Sequence, residues 1–177
     1  MRFEWRWFRR TFNLSLYSYG EQGQYVAGIT NRCKDGGYCL FIDYDDVPAD
    51  WVTDELEWLQ EFYQLGDVHL FKTGHGYHAI CTQKFRLSEL IRILRSTSTD
   101  AAYVSVPMRR ARKMWTLRIS RKAGAVPTYL RTLKGFRGCE ESKPHNDVLR
   151  KLYNLNLPVE REDAEKKFWT GHYHIEA

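Results

Sequence analysis

The feature that most constrains the fold is a fixed succession of strand and helix patterns in the middle of the chain. The apolar run YCLFID, which follows the turn KDGG, predicts a buried strand over residues 38–43. Apolar residues at helical spacing then predict a helix over residues 53–65, with Thr53 as its N-cap. The same spacing places Trp58 and Phe62 on the buried face of that helix.

The pattern continues with two strands, residues 68–71 and 77–81, on either side of the turn KTGHG. A second amphipathic helix follows around residues 87–94, then a strand-like segment over 102–106 and a last strand over 114–119. This order is the split βαβ arrangement of an α+β fold of ferredoxin-like or RRM-like type. In such a sheet the first and third strands are neighbours at the centre. Both helices cover one face, and the opposite face is free for a site.

The segments that flank this core carry weaker patterns. Alternation over residues 12–31 predicts a β-hairpin, residues 126–131 predict one further strand, and residues 145–153 predict a helix. No linker divides the chain, so we expect a single domain over residues 1–177. It comprises an N-terminal hairpin extension (1–37), the core (38–124) and a basic, helical C-terminal extension (125–177).

Hydropathy and cysteine spacing narrow the class of protein. No apolar run approaches the ~20 residues of a membrane helix, and the N-terminus MRFEWRWFRR lacks an apolar signal sequence. We therefore expect a soluble, intracellular, cytoplasmic protein with no membrane partner. Cys33, Cys39, Cys81 and Cys139 form no CxxC pair, which favours four reduced structural thiols. A metal site made of Cys33, Cys39 and a distant histidine is the alternative.

Charge is unevenly distributed along a chain whose net charge is +5. Residues 109–137 hold many arginines and lysines and no acid, whereas residues 43–67 are rich in acids. A basic segment beside an acidic one predicts a phosphate-rich partner next to a cation site. The residues expected to contact nucleic acid are Arg109, Arg110, Arg112, Lys113 and Arg121.

Strand parity brings acids and bases together on the open face. Side chains two apart on a strand share a face, so Asp43 and Asp45 project together from the first strand. His78 on the adjacent third strand should lie beside them, and Arg118 on the last strand shares this face. Two carboxylates with this spacing can bind a pair of Mg²⁺ or Mn²⁺ ions, hard cations that prefer oxygen ligands and assist phosphoryl transfer.

The turn that precedes His78 fits the same chemistry. Thr73-Gly74-His75-Gly76 contains two glycines that let backbone N–H groups approach phosphate oxygens. A histidine and an arginine nearby would hold a triphosphate. The residues thus predict metal-assisted phosphoryl transfer.

Together, FIDYDDV and LFKTGHGYHAI resemble the archaeo-eukaryotic primase superfamily. The first motif of that family is hydrophobic-Asp-x-Asp at a strand end, and the second is Ser/Thr-Gly-x-Gly-x-His. The resemblance covers residues 38–124 and implies a small primase–polymerase that consists of the catalytic domain only. Such an enzyme joins nucleoside triphosphates on a single-stranded DNA template. The implied ligands of Mg²⁺ or Mn²⁺ are Asp43 and Asp45, and the implied nucleotide-binding residues include Thr73, Gly74, Gly76 and His78.

The stretch WTLRISRKAG is similar to a later segment of the family, which implies a phosphate-binding role for Arg118, Ser120 and Lys122. The family's third metal ligand is an acid on a late strand, but residues 114–120 contain none. Asp100 is the expected substitute as a catalytic metal ligand, and it fits a cap of the preceding loop equally well. The resemblance also implies a helicase or other replication protein as partner, and a gene of the kind that plasmids, viruses and other mobile elements carry.

Three other functions stay open. Without a third acid, the chain would be a degenerate primase-like protein that binds nucleotides and nucleic acid without polymerising. His172 and His174 form the His-hydrophobic-His pattern of an HUH-type nicking endonuclease, with Tyr17 or Tyr19 as its nucleophile. An RRM-like sheet that binds nucleic acid is the non-enzymatic alternative, although such sheets present aromatic residues rather than acids.

Overall fold

The computed structural model describes residues 2–7 and 10–15 as backbone strands, and residues 27–110, 113–122 and 124–155 with their side chains. The chain forms two compact units, residues 1–142 and 143–177. Within the described ranges, no helix is both long enough and apolar enough to span a membrane.

The elements of the first unit are β1 (Arg2–Trp7), β2 (Arg10–Ser15), β3 (Gly28–Thr30), β4 (Tyr38–Asp45), α1 (Ala49–Tyr63), β5 (Val68–Lys72), β6 (Gly76–Phe85), α2 (Leu87–Arg95), α3 (Ala101–Met108), β7 (Thr116–Arg118) and β8 (Thr128–Leu133). The second unit contains α4 (Lys143–Tyr153).

The main sheet of the first unit has the strand order β4-β6-β5-β8 and is antiparallel throughout. One face of it packs against α1 and α2, whose apolar residues recur at the spacing of a buried helix face. Each fully buried leucine or isoleucine contributes about 1.5–3 kcal/mol. The core residues include Leu40, Ile42 and Tyr44 of β4, Val52, Leu56 and Leu59 of α1, and Leu90, Ile93 and Leu94 of α2.

This architecture confirms an α+β fold and the predicted adjacency of β4 and β6. The strand predicted near residues 126–131 is present as β8, beside β5 at one edge of the sheet. The last strand of the predicted core behaves differently. β7 pairs with β3 in a separate two-stranded sheet, so β4 is an edge strand and not a central one.

A buried asparagine explains how β7 nonetheless stays attached to β4. The backbone N–H of Asn31 donates to Trp115 O (3.0 Å), and its carbonyl accepts from Cys39 N (2.8 Å). Its side chain donates to Cys39 O (2.9 Å) and accepts from Trp115 N (3.0 Å). Asn31 is fully buried, so the backbone groups around it need partners within the protein. Its four hydrogen bonds take the place of those that a direct strand ladder would supply here.

The prediction of a strand over residues 102–106 is wrong, because this segment lies in α3. Asp100 is the N-cap and accepts a hydrogen bond from Ala102 N at 3.0 Å. The Tyr103 hydroxyl donates to Phe41 O at 3.3 Å and fixes the helix against β4. A cap stabilises a helix by about 1 kcal/mol, which outweighs the small strand preference of Val104 and Val106.

The N-terminal hairpin also differs from the predicted one. It is formed by β1 and β2, whereas β3, the predicted return strand, pairs with β7. Residues 16–26 lie outside the described ranges. Gly28 permits the β3–β7 pairing, because a Cβ there would lie 2.9 Å from the carbonyl oxygen of Leu117.

Two predictions about burial are wrong. Trp58 and Phe62 of α1 are 45% and 64% exposed and stack on each other, with ring centroids 5.2 Å apart. The sheet face opposite the helices is not open along its whole length, since Phe41, Phe71 and Ile80 on that face are buried. Their apolar character at this parity requires cover, whereas Asp43 and Asp45 at the end of β4 keep accessible surface.

We predict that Asn31→Ala lowers the free energy of unfolding by about 2–5 kcal/mol, because it leaves the Trp115 N–H and the Cys39 carbonyl buried without partners. Chemical denaturation followed by circular dichroism measures the change. Thr116→Ala, at an exposed position of β7, is the matched control and should change stability by less than ~0.5 kcal/mol. Equal stability of Asn31→Ala and wild type would contradict the role assigned to Asn31.

Candidate active site

The β4–β6 pair places an acid opposite a histidine. Asp43 and His78 are direct cross-strand partners, and His78 Nε2 lies 3.3 Å from Asp43 Oδ1. The histidine side chain is 7% exposed and the aspartate side chain is 29% exposed. The predicted proximity of these two residues is therefore confirmed, and the carboxylate keeps one side accessible to solvent.

Asp45 extends this site toward the end of β4. It lies two residues beyond Asp43, shares its face, and is exposed. Partial burial raises the pKa of Asp45, and the neighbouring carboxylates of Asp43, Asp46 and Asp100 raise it further, while Lys122 acts in the opposite direction. The site thus concentrates negative charge beside one cation.

The turn between β5 and β6 closes tightly against β4. Thr73 Oγ1 accepts from Gly76 N and Thr73 N donates to Gly76 O, both at 3.0 Å. Asp46 N donates to His75 O at 3.0 Å, which ties the turn to the end of β4. The Gly76 N–H is therefore not free to bind a phosphate, contrary to the prediction for this turn. The N–H groups of Gly74 and His75 have no acceptor among the described residues.

Hydroxyl groups from residues 99–103, which include the first turn of α3, bind the outer edge of β4. Thr99 Oγ1 donates to the carbonyl of Asp43, next to the Tyr103 bond to Phe41. This arrangement brings Asp100 close enough for its charge to raise the pKa of Asp45. One carboxylate oxygen of Asp100 caps α3, so the other is the one left for a metal ligand.

A half-buried acid holds this segment in place. Glu55 of α1 accepts from the Tyr44 hydroxyl at 2.8 Å and from Ser98 N at 2.9 Å. Trp51 Nε1 donates to Ser98 Oγ at 3.0 Å. Sequence reasoning missed Thr99, Tyr103 and Glu55, because they act through contacts across the fold. The run of hydroxyl residues STSTD was the only local signal for them.

The phosphate-binding candidates predicted in the stretch WTLRISRKAG divide into two groups. Lys122 and Ala125 exchange backbone hydrogen bonds of 2.9 and 3.0 Å, and a Cβ on Gly74 would lie 3.1 Å from Ala125 Cβ. The tight turn that carries Lys122 therefore touches the turn that precedes His78.

Arg118 and Ser120 are engaged elsewhere. Arg118 donates to the Ser120 carbonyl, and Ser120 Oγ accepts from Ala27 N at 3.0 Å. Among the described residues, neither side chain forms a hydrogen bond or ion pair with Asp43 or His78. The predicted convergence of Arg118 on the acids is thus not seen as a direct contact.

The residues predicted to contact nucleic acid are partly accessible. Arg109 and Arg110, at the end of α3, and Arg121 are exposed, and Lys113 is half-buried. Arg112 lies outside the described residues, as do His172, His174, Tyr17 and Tyr19 of the nicking-endonuclease hypothesis.

Comparison with known proteins found no matching family model, no matching curated protein and no matching solved structure.

The donor set of the site suits hard divalent cations. Asp43 and Asp45 provide carboxylate oxygens on one face, and Asp100 lies near them. Mg²⁺ and Mn²⁺ prefer such oxygen ligands, and a cation there would relieve the repulsion that raises the pKa of Asp45. The observed charges therefore fit the predicted metals.

We predict that Gly76→Ala lowers stability by about 3 kcal/mol or more, since the added Cβ would lie 1.7 Å from Tyr44 O and force β4 and β6 apart. Thermal unfolding measures the loss. Gly74→Ala is the control, because its Cβ would meet only Ala125 Cβ at 3.1 Å. Equal losses for the two variants would show that the close approach at Gly76 does not matter.

We predict that Asp45→Asn stabilises the metal-free protein by less than ~1 kcal/mol at about pH 7, because Asp45 is largely solvent-screened. Since its folded pKa lies above the ordinary value of 3.8, its ionisation opposes folding above that pH. The destabilisation by ionised Asp45 vanishes as the pH falls below this value, so the stabilities of wild type and variant should converge in acid.

The measurement is the denaturation midpoint across this pH range, with Asp54→Asn on the exposed side of α1 as control. Added Mn²⁺ should raise the midpoint of wild type and leave Asp45→Asn unchanged. A variant that is less stable than wild type at neutral pH without metal would contradict the charge assignment.

Proposed function

We propose that this chain is a template-dependent nucleotidyltransferase of the primase–polymerase type. The observation that carries the proposal is the contact between the Asp43 carboxylate and the His78 imidazole across the β4–β6 pair, with Asp45 on the same face. An aspartate pair at a strand end and a histidine after a glycine turn are the two motifs on which the resemblance to archaeo-eukaryotic primases rests. Their spatial convergence supports a shared site.

The order of the strands and helices supports the same proposal. β4, α1, β5, β6 and α2 follow the order of the ferredoxin-like frame, with both helices against one sheet face. The frame departs from that arrangement at β7, which does not pair with β4; among the described residues, Asn31 supplies the hydrogen bonds that connect them. The departure lies beyond the strands that carry Asp43, Asp45 and His78.

Each side chain then has a role that its surroundings suit. Asp43 and Asp45 bind Mg²⁺ or Mn²⁺, with Asp100 as the third acid. The chemistry that bound ions would supply is activation of a 3′-hydroxyl and neutralisation of the developing charge on the phosphates. His78 and Lys122, with the N–H groups of Gly74 and His75, hold the triphosphate of the incoming nucleotide. Gly76 contributes by allowing the close approach to Tyr44, and Thr73 by closing the turn.

The substrates follow from the same site. Nucleoside triphosphates bind at the acids, and a single-stranded DNA template lies along the exposed basic side chains of Arg109, Arg110 and Arg121. Such contacts are largely electrostatic, so template binding should weaken as salt is added. A helicase or other replication protein is the expected partner.

One specific observation favours a second candidate, a degenerate nucleotide-binding protein. Asp100 already uses one carboxylate oxygen to cap α3, and β7 contains no acid. If Asp100 cannot complete the metal site, the chain would bind nucleotide and metal without joining nucleotides.

The decisive assay incubates the full chain with single-stranded template, labelled nucleotides and Mn²⁺. We expect synthesis by wild type and none by Asp43→Asn or Asp45→Asn. His78→Gln should lower kcat/KM by about 10²-fold, the usual effect of losing one group that stabilises charge in the transition state. Asp46→Asn is the matched control, since Asn tolerates the positive φ of 56° at this position.

The outcomes separate the candidates. Nucleotide binding without synthesis, lost in Asp43→Asn, would establish the degenerate alternative. If wild type neither binds nucleotides nor synthesises a product, both candidate functions are refuted. A covalent tyrosine–DNA adduct would point to the nicking endonuclease.

A further inference from the structure

Two buried thiols lie side by side at the start of β4. The Sγ atoms of Cys33 and Cys39 are 3.7 Å apart, and both cysteines are free. Cys33 is 4% exposed and Cys39 is fully buried. Cys39 precedes Asp43 by four residues on the strand, about 13 Å at the rise of a β-strand. The pair is therefore separate from the acidic site.

The backbone fixes both sulfur atoms in place. Cys33 N donates to Gly37 O at 3.1 Å, and Gly36 N donates to Cys33 O at 3.4 Å. Gly36 and Gly37 adopt φ values of +103° and +77°, which residues with a side chain rarely adopt, so this tight turn depends on them. On the other side, Asn31 binds both the N–H and the carbonyl of Cys39.

The surroundings of Cys39 balance two effects. Burial raises the pKa of its thiol, and the adjacent Cys33 raises it further, while a hydrogen bond with Ser142 acts in the opposite direction. Two thiolates this close repel each other unless a cation lies between them. Without one, the raised pKa of Cys39 keeps its thiol protonated and a poor nucleophile.

The separation of the sulfurs matches that of two ligands on one ion. Zinc binds thiolates at about 2.3 Å in tetrahedral geometry, which sets two such sulfurs about 3.8 Å apart. The observed 3.7 Å needs no rearrangement of the turn or of β4. Hard cations such as Mg²⁺ prefer oxygen and would not compete for this pair.

We propose that Cys33 and Cys39 bind a soft divalent cation of the Zn²⁺ class through both sulfurs, at a structural site distinct from the one formed by Asp43 and Asp45. Each thiol releases its proton on binding, and the two Sγ lone pairs form the bonds to the ion. The other coordination positions belong to ligands outside this pair. The ion would link the 33–37 turn to β4, the strand that carries the acids.

The first experiment titrates the reduced, chelator-treated full chain with Cd²⁺, a spectroscopic substitute for Zn²⁺, in a buffer with a non-thiol reductant. We expect stoichiometric binding with a thiolate-to-cadmium charge-transfer absorption and a release of protons. Cys33→Ser and Cys39→Ser should lose the absorption, whereas Cys139→Ser should keep it. Excess Mg²⁺ should not displace the ion.

A second measurement needs no variant. Wild type with and without Zn²⁺ is treated with an alkylating reagent under mild denaturation, and the modified peptides are identified by mass spectrometry. We expect Zn²⁺ to protect Cys33 and Cys39 and to leave Cys139 unprotected. Equal alkylation with and without Zn²⁺, absorption that persists in Cys33→Ser, or a Cys33–Cys39 disulfide in the purified protein that blocks binding would each overturn the proposal.

Discussion

The outer edge of β4 is the constraint on which the rest of the first unit depends. An edge strand presents unpaired N–H and C=O groups, and buried ones must find partners. No strand pairs directly with this edge among the described residues. Instead, Asn31 satisfies Cys39, the Tyr103 hydroxyl satisfies Phe41, and the Thr99 hydroxyl satisfies Asp43. Groups from two segments, Asn31 and residues 99–103, thus replace a strand ladder.

This solution determines what surrounds the candidate site. Because Thr99 binds the carbonyl of Asp43, Asp100 is brought near the acids, and the bond from Tyr103 holds α3 against the same strand. Because Asn31 binds Cys39, β3 and the Cys33 turn lie against the start of β4. One edge therefore organises both an acidic, oxygen-rich end and a buried, sulfur-rich end. The two ends suit different classes of cation.

Much of the central arrangement was predictable because it depends on local periodicity. The apolar run before Asp43 and the alternation after Gly76 indicated β4 and β6, and strand parity then placed Asp43, Asp45 and His78 on one face. The errors arose where local preference and tertiary contact disagree. Val104 and Val106 favour a strand, but a cap at Asp100 and the Tyr103 bond make the segment a helix. Helical spacing put Trp58 and Phe62 inside, yet nothing among the described residues covers them fully.

The sequence by itself determined the types of the main elements and the convergence of an aspartate pair with a histidine. Side-chain direction alternates along every strand, so this convergence needs only the adjacency of two strands. Tertiary structure alone decided which groups fill the edge of β4, that the charge of Lys122 acts on Asp45 while Arg118 binds the Ser120 carbonyl, and that Cys33 and Cys39 meet. These outcomes join residues that are distant in sequence or separated by an irregular turn, and no local pattern encodes hydrogen bonds or packing across such separations.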